Sequence, residues 1–377
     1  VIPLPEPLAA DHGRTAIAHS DWELQLVDDA TNTAVADLRH DASEFSLTVR
    51  LRDQGECSFQ IDGRSEVAAQ LHELTTDVVV WYGGNPISRQ RITNSTDTID
   101  ADNHQVDVAA VDYRGLLARR ITRQALTFAG TQQLDDVAWQ LIDHTQTASV
   151  GGNWRITRGL NPTTGTVTGW TVPEAKAIDE AIGDLVAVYP SFDWEINGRL
   201  QFDAWSMRGA SRDFALEYGT NVTGVRREMS SSNYANAVRT SGAEGLPAQW
   251  RQASDLATRA EGRMETQEGN PDLANATAIG QAADAYLWRH GSLAPGYTFT
   301  LTPGVWSPAD LWLGDLATVV VHSGRLDVVS VERVEQIDIK ADADGGSTVE
   351  VSFGHLHEDL AHQLRVMPRQ LTDLNRR

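Results

Sequence analysis

The chain has 377 residues, 41% of them hydrophobic, and a formal net charge of −21. That length exceeds one ordinary core and points to two to four domains, and a charge of that sign argues against stable binding to the closely spaced phosphates of a duplex. No apolar run nears the roughly 20 residues that span a bilayer, and a single cysteine, Cys57, excludes an intrachain disulfide and any cysteine-based metal or iron–sulfur site.

Residues 1–20 contain prolines and little periodicity; they read as an extended N-terminal arm without the basic-then-apolar pattern of a signal peptide. Trp22, Leu24 and Leu26 alternate as a first strand. Phe45, Leu47, Val49 and Leu51 form a second, half-buried strand, and Cys57, Phe59 and Ile61 repeat the pattern. Ser65 is placed to cap a short helix bearing Val67, Ala68, Leu71 and Leu74. Val78 to Val80, a turn at Gly83-Gly84, a run to Ile92, and Val106, Val108 and Ala110 complete a β-unit. Asp112 then caps a helix through Leu116 and Leu117, which ends in Arg119-Arg120 at the negative pole of its dipole.

Composition changes after residue 121. Leu134, Val137, Ala138, Leu141 and Ile142 mark an amphipathic helix, and Gly151 to Gly169 reads as loop or hairpin. Thr171-Val172-Pro173 opens a helix with Ile178, Ile182, Leu185 and Val186 on its apolar face. Phe192, Trp194 and Ile196, then Asn197-Gly198, then Leu200, Phe202 and Ala204 predict a hairpin with a type I′ turn. Val225, Arg227 and Met229 begin another β-region, continued by Ala235 to Thr240. Residues 253–290, rich in Ala, Glu, Gln and Arg, read as helical with a break at Asn270-Pro271. Strands resume at Tyr297, Phe299 and Leu301 and run to Phe353. An amphipathic segment from Leu356 to Val366 precedes a polar tail.

The unit at 77–117 has a counterpart at 315–356: Val319 to Val321, a turn at Ser323-Gly324, a run through Val328, Val329, Val331 and Val334, a polar gap, then Val349, Val351 and Phe353. Ile99-Asp100 has an echo in Ile337-Asp338. The fold expected is α+β and mainly β, with two related antiparallel β-barrel domains, the second interrupted by a helical insertion, plus an α+β middle domain. The boundaries are 1–20 for the arm, 21–120 for the first barrel, 121–221 for the middle domain with its hairpin at 192–204, 222–245 and 296–355 for the second barrel, 246–295 for the insertion, and 356–377 for a C-terminal helix and tail. An insertion of that length is tolerable because loop-closure entropy grows slowly.

Chemistry is sparse. His355 and His357 with Glu358 and Asp359 fit neither one helical face nor a zinc helix and read as a surface cluster. Asp342-x-Asp344-Gly345 opens like a calcium loop but lacks the later acids, so it reads as a hairpin turn. Asp193, Glu195 and Asp203 beside Trp194 could serve acid/base work on sugars, although such pairs arise freely among 52 acidic residues. Trp81, Tyr82, Trp306 and Trp312 could bind a sugar, with core packing or partner contact as the plainer reading. Serine-nucleophile, phosphate-loop and dinucleotide motifs are absent. No catalytic, metal-ligating or cofactor-binding residue is assigned, and no cofactor is expected. Lysine occurs only at Lys176 and Lys340, and aspartate outnumbers glutamate. A GC-rich genome and a halophilic source both account for that pattern.

The segment from Asp77 to Arg120, ending VDYRGLLARR, resembles the N-terminal part of the tail-hub proteins of tailed viruses, a family that includes baseplate hubs and the hub region of siphophage tail-tip proteins. The phrases YANAVRTSG, LWLGDLATVVV and TVEVSFG resemble their second half, in the same order, over roughly residues 20–355. The resemblance implies a virion structural protein at the tail tip and not an enzyme. It implies a homotrimer whose six similar barrels join a six-fold tail tube to a three-fold tip. The implied partners are the tube or distal tail protein, the tape-measure protein and tip or receptor-binding proteins. DNA would pass without stable binding, and no membrane insertion is expected. The end near residue 377 would leave a C-terminal fibre or lytic domain to other proteins. A carbohydrate-active or sugar-binding surface protein is the alternative.

Overall fold

A computed structural model describes residues 22–39, 41–101, 103–148, 152–160, 164–189, 192–229, 231–271, 273–292, 295–341 and 347–354. The arm, the Asp342–Gly345 turn, the His355–Asp359 cluster and the segment from Leu356 onward lie outside these residues.

The first β-unit comprises β1 (Trp22–Asp28), β2 (Thr33–Asp37), β3 (Ala42–Arg50), β4 (Glu56–Asp62), β5 (Thr76–Tyr82), β6 (Asn85–Ile99) and β7 (His104–Asp112). Next come α1 (Tyr113–Leu117), β8 (Leu126–Gln133), α2 (Leu134–Thr147), β9 (Thr157–Arg158), β10 (Thr166–Val172), α3 (Ile178–Val188), β11 (Asp193–Ile196) and β12 (Gln201–Trp205). The second β-unit begins with β13 (Ser211–Glu217) and β14 (Val222–Glu228). It is interrupted by β15 (Ala237–Ser241), β16 (Gln249–Gln252), β17 (Glu265–Gly269) and α4 (Ala276–His290). It resumes with β18 (Gly296–Leu301), β19 (Leu316–Ser323), β20 (Leu326–Ala341) and β21 (Ser347–Gly354).

The two units repeat one topology. In the first, the hydrogen-bonded order is β1-β5-β6-β7-β4-β3; in the second it is β13-β19-β20-β21-β18-β14. Leaving out β2, which pairs with β1 at the end of the path, and numbering the remaining six strands of each unit by appearance, both read 1-4-5-6-3-2. Both carry one unusually long strand, β6 and β20, with a bulge at the same place, after Ile92 and after Val334. Both place a second bulge at the start of the second strand, after Ala42 and after Val222. The first strand departs from the match: β1 is antiparallel to β5, whereas β13 is parallel to β19. The bulges set the register, because a one-residue slip would turn every apolar side chain outward. By that register Ile99 corresponds to Ala341, so the echo of Ile99-Asp100 in Ile337-Asp338 is coincidental.

The units are not separate sheets. Residues 336–341 of β20 pair antiparallel with residues 45–50 of β3, making one sheet of 13 strands. Among the described strands neither unit closes into a barrel; the main path ends at β2 and β14. One apolar cluster fills both units, including Leu24, Phe45, Leu47, Phe59 and Ile61 from the first and Phe299, Leu301, Ile337, Ile339 and Phe353 from the second. A second cluster joins α1, α2, α3 and the β11–β12 hairpin, and takes in Leu273 and Ile279 from the interruption of the second unit.

Several local expectations are revised. Ser65 Oγ accepts from Ala68 N at 3.2 Å, but only one 3-10 turn forms, Ala68–Gln70. Leu74 is drawn to a φ of 65° so that its N–H can bond Ile92 O on β6. The helix expected after Thr171 begins only at Ile178, because β10 runs on through Val172 against Leu126 and Ala175 turns at a φ of 63°. The first half of 253–290 is not helical: Glu265–Gly269 pairs parallel with β15, a partner close in space rather than in sequence. The 192–204 hairpin forms, but with a four-residue loop whose positive φ falls at Leu200, not at Asn197-Gly198. Gly198 serves close approach instead, since a Cβ there would sit 2.9 Å from Pro86 O.

Gly209 and Gly314 form a tighter contact. A Cβ on Gly209 would lie 2.0 Å from Gly314 O, and its φ is +99°. Gly209→Ala is therefore expected to lower stability by about 2 kcal/mol, read as a lower urea midpoint at unchanged m-value.

Candidate functional site

A set of buried charged groups, Asp77, Arg91, Arg114, Asp193 and Arg333, lies where the β-units meet the α1–β12 segment. Two arginines occupy matching positions, Arg91 on β6 and Arg333 on β20, each just before the bulge of its long strand. Neither position can be filled by a free charge, since removing an ion from water costs several kcal/mol unless it is paired. Both are paired. Arg91 Nε donates to Asp77 Oδ1, its guanidinium reaches Asp29 at 2.8 Å and Tyr113 Oη at 2.6 Å, and Nη1 donates to Leu74 O at 2.6 Å. Arg89 Nε donates to the other oxygen of Asp77 at 2.6 Å. Burial opposes the charge of Arg91, yet Asp77 holds its guanidinium above the ordinary range. Burial, reinforced by Asp77, likewise pushes the Tyr113 hydroxyl well above a free phenol, so it stays a donor.

Arg333 repeats the scheme with a partner from another segment. Its Nη2 donates to Asp193 Oδ2, and its Nε donates to Gly314 O at 3.2 Å. Gly314 N in turn donates to Val334 O, as Leu74 N donates to Ile92 O. Asp193 also accepts from Arg52 Nε at 3.2 Å and Arg208 N at 2.8 Å. Arg114, at the start of α1, donates to Leu51 O at 2.9 Å and to Trp194 O, and its guanidinium lies 3.9 Å above the Trp194 ring. Burial lowers its pKa to about 10, so it remains charged at neutral pH. The Asp112 cap on α1 is formed: Gly115 N donates to Oδ1 at 2.8 Å, and Gly55 N donates to Oδ2 at 2.7 Å.

The three carboxylates singled out in the sequence do share one face of the β11–β12 hairpin, with Glu195 directly opposite Asp203. Each is taken up internally. Glu195 accepts from Arg208 Nη1. Asp203 accepts from Leu160 N at 2.6 Å and Asn197 Nδ2 at 2.7 Å, and burial raises its pKa despite those bonds. The aromatics take the core reading. Trp306 stacks on Trp22 and Trp312 at 6.5 and 6.2 Å, Tyr82 meets Trp22 edge-on at 4.7 Å, and Trp81 packs with Val27 and Val79. Burial pushes the Cys57 thiol up to about 12, far from a reactive thiolate. Among the described residues no group of three or more His, Cys, Asp or Glu side chains is placed to hold a metal, and no helix is long and apolar enough to cross a membrane.

Sequence reasoning passed over Arg91 and Arg333. A signal was present: Ser88-x-x-Arg91-Ile92 and Ser330-x-x-Arg333-Val334 repeat one spacing, with an arginine just before an aliphatic residue, in the two units.

The sheet has one polar face. Thr48, Ser58, Asp107, Asp338, Thr348 and Glu350 alternate with core residues across β3, β4, β7, β20 and β21. It also has open edges. Among the described residues, residues 225–228 of β14 pair only with β18, and residues 94–99 of β6 pair only with β7.

No protein-family model and no curated protein matches the sequence. Solved structures do match in fold. A tail protein from Neisseria meningitidis MC58 aligns over 89% of this chain and 96% of its own, with a TM-score of 0.64 and 12% identity. The 43 kDa tail protein of prophage MuSo2 from Shewanella oneidensis aligns over 88% and 97%, with a TM-score of 0.62 and 13% identity. A prophage tail protein from Listeria monocytogenes EGD-e aligns over 93% and 99%, with a TM-score of 0.59 and 10% identity. This chain therefore has the fold of phage tail proteins.

Proposed function

We propose that the chain is a structural hub of a viral tail, acting as a homotrimer at the tail tip. The observation that carries this reading is the doubled six-strand unit, with the same order and the same bulges in both copies. Three chains then supply six similar modules, in each chain one built on β1 to β7 and one on β13, β14 and β18 to β21. Such a ring meets a six-fold tube on one side and a three-fold tip on the other. The fold shared with phage tail proteins supports it. A head-to-tail contact that repeats by rotation closes into a ring rather than a fibre.

In this assembly the polar face of the sheet lines a channel for DNA. Hydroxyls and the carboxylates of Asp107, Asp338 and Glu350 repel or ignore phosphate, so the duplex slides without adhering. The tube or distal tail protein, the tape-measure protein and tip or receptor-binding proteins are the partners of such a ring. Asp193, Glu195 and Asp203 act here as structural groups.

The test is a solution mass by light scattering at low and high salt. A mass three times that of the chain is expected. A trimer that forms only at high salt would favour the halophilic source, because salt screens repulsion between strongly acidic chains. A monomer under all conditions would overturn the reading.

A further inference from the structure

The internal repeat predicts a contact the single chain cannot make. Within the chain, the second strand of the first unit pairs with the fifth strand of the second, β3 with β20. The reciprocal pair would be the second strand of the second unit with the fifth strand of the first, β14 with β6. Among the described residues these two are not paired, and each leaves an edge open. We infer that the open edge of β14 in one protomer pairs antiparallel with residues 96–99 of β6 in the next protomer. The inference rests on the ring reading above and adds the register.

The bulges supply that register. On β3 the bulge lies between Ala42 and Glu44, and on β14 between Val222 and Gly224, so Phe45 corresponds to Val225 and Thr48 to Glu228. On β20 and β6 the bulges after Val334 and Ile92 equate Ala341 with Ile99 and Asp338 with Thr96. Carrying the observed β3–β20 pairs across sets Val225 opposite Ile99, Arg226 opposite Thr98, Arg227 opposite Asp97 and Glu228 opposite Thr96.

Every pair so obtained is complementary. Phe45 and Ala341, apolar within the chain, become Val225 and Ile99; Ile99 is 70% exposed in the monomer. The Thr48 hydroxyl, which donates to Asp338 Oδ1 at 2.6 Å, is replaced by the Thr96 hydroxyl facing Glu228, with the roles exchanged between strands. Ser46 opposite Lys340 becomes Thr98 opposite Arg226. The buried pair Leu47 and Ile339 becomes Arg227 and Asp97, an ion pair. Among the described residues Arg227 has no carboxylate partner of its own, contacting only Met229 Sδ at 4.0 Å, while Asp97 meets His104 Nε2 at 2.8 Å. Charge at this position has a physical reason. An edge that must stay soluble before assembly cannot expose the Leu-and-Ile pair that the internal seam buries, and charged residues keep an open edge from pairing indiscriminately.

The test places cysteines at both ends of the ion pair, Asp97→Cys with Arg227→Cys in one chain. Directly opposed residues on antiparallel strands lie about 4.5–5.5 Å apart at Cα, within disulfide range. Oxidation of the assembled protein should give crosslinked dimers and trimers on a non-reducing gel. Asp97→Cys with Val225→Cys, two residues out of register, should give few. In a second arm, Arg227→Glu should weaken association about ten-fold or more, and adding Asp97→Arg should restore most of it. Asp97 is exposed and Arg227 is half-buried outside the apolar cluster, so circular dichroism should show the fold intact. A trimeric mass without selective crosslinking or charge-swap rescue would overturn this register and leave the ring standing. A monomeric wild type would overturn both.

Discussion

Replacing Asp193 by alanine should cost about 3–5 kcal/mol, the loss typical when one member of a buried ion pair is removed and the other stays behind. Asp193 is 1% exposed, and Arg333, its partner on β20, is 6% exposed. Without the carboxylate, Arg333 keeps only the carbonyls of Gly314 and Arg208, which cannot neutralise it. Arg52 Nε and the Arg208 N–H lose the Asp193 carboxylate in the same step. Because Arg52 follows β3, Arg208 follows β12 and Arg333 lies on β20, three segments should loosen together. The expected outcome is a lower midpoint in urea, with earlier proteolysis between residues 205 and 215. Asp193→Asn keeps the shape and one acceptor oxygen and should lose less. If Asp193 instead served catalysis, its removal would change turnover while leaving the midpoint in place, so the two readings separate cleanly.

The second large effect comes from the paired phenylalanines. Phe59 and Phe299 occupy corresponding positions in the two units, each opposite a buried valine, Val108 and Val351. They are 2% and 0% exposed and belong to one apolar cluster. Truncation of a buried phenylalanine to alanine costs about 3–5 kcal/mol, from lost transfer energy and from the cavity left behind. Phe59→Ala and Phe299→Ala should each fall in that range. Because the cluster runs through both units, either change should lower one common unfolding transition. Two separate transitions, each sensitive to one substitution only, would show that the units unfold independently despite the β3–β20 seam. Phe299 also meets Phe353 edge-on at 5.4 Å, so its loss should be the larger.

Much of the strand pattern was legible because period-two alternation is a local signal. Leu47 and Val49, Phe59 and Ile61, and Phe299 and Leu301 each declared a buried face, and all are buried. The Asp112 cap and the α2 stripe were legible for the same reason. Signals failed where a distant segment decided the outcome. Glu265–Gly269 looks helical in composition and becomes a strand because β15 lies alongside. Asn197-Gly198 looks like a positive-φ turn, yet Gly198 is needed for the approach of Pro86, and the positive φ moves to Leu200. Asp193, Glu195 and Asp203 were found as a cluster on one face; that arginines and amides would take them up could not be seen, since Arg333 is 140 residues from Asp193.

By itself the sequence determined that the chain is strand-rich, that a short strand, a turn, a long strand and a closing strand occur twice, and that the second copy's unit is interrupted. These follow from residue order alone, because alternation, turn residues and caps act within a few positions. Only the tertiary structure decided that the copies share one sheet and one core, that two matching arginines are clamped by Asp77 and Asp193, and which edges remain open. Sheet pairing and charge burial depend on groups brought together across the whole chain, and no local pattern encodes which partner will arrive.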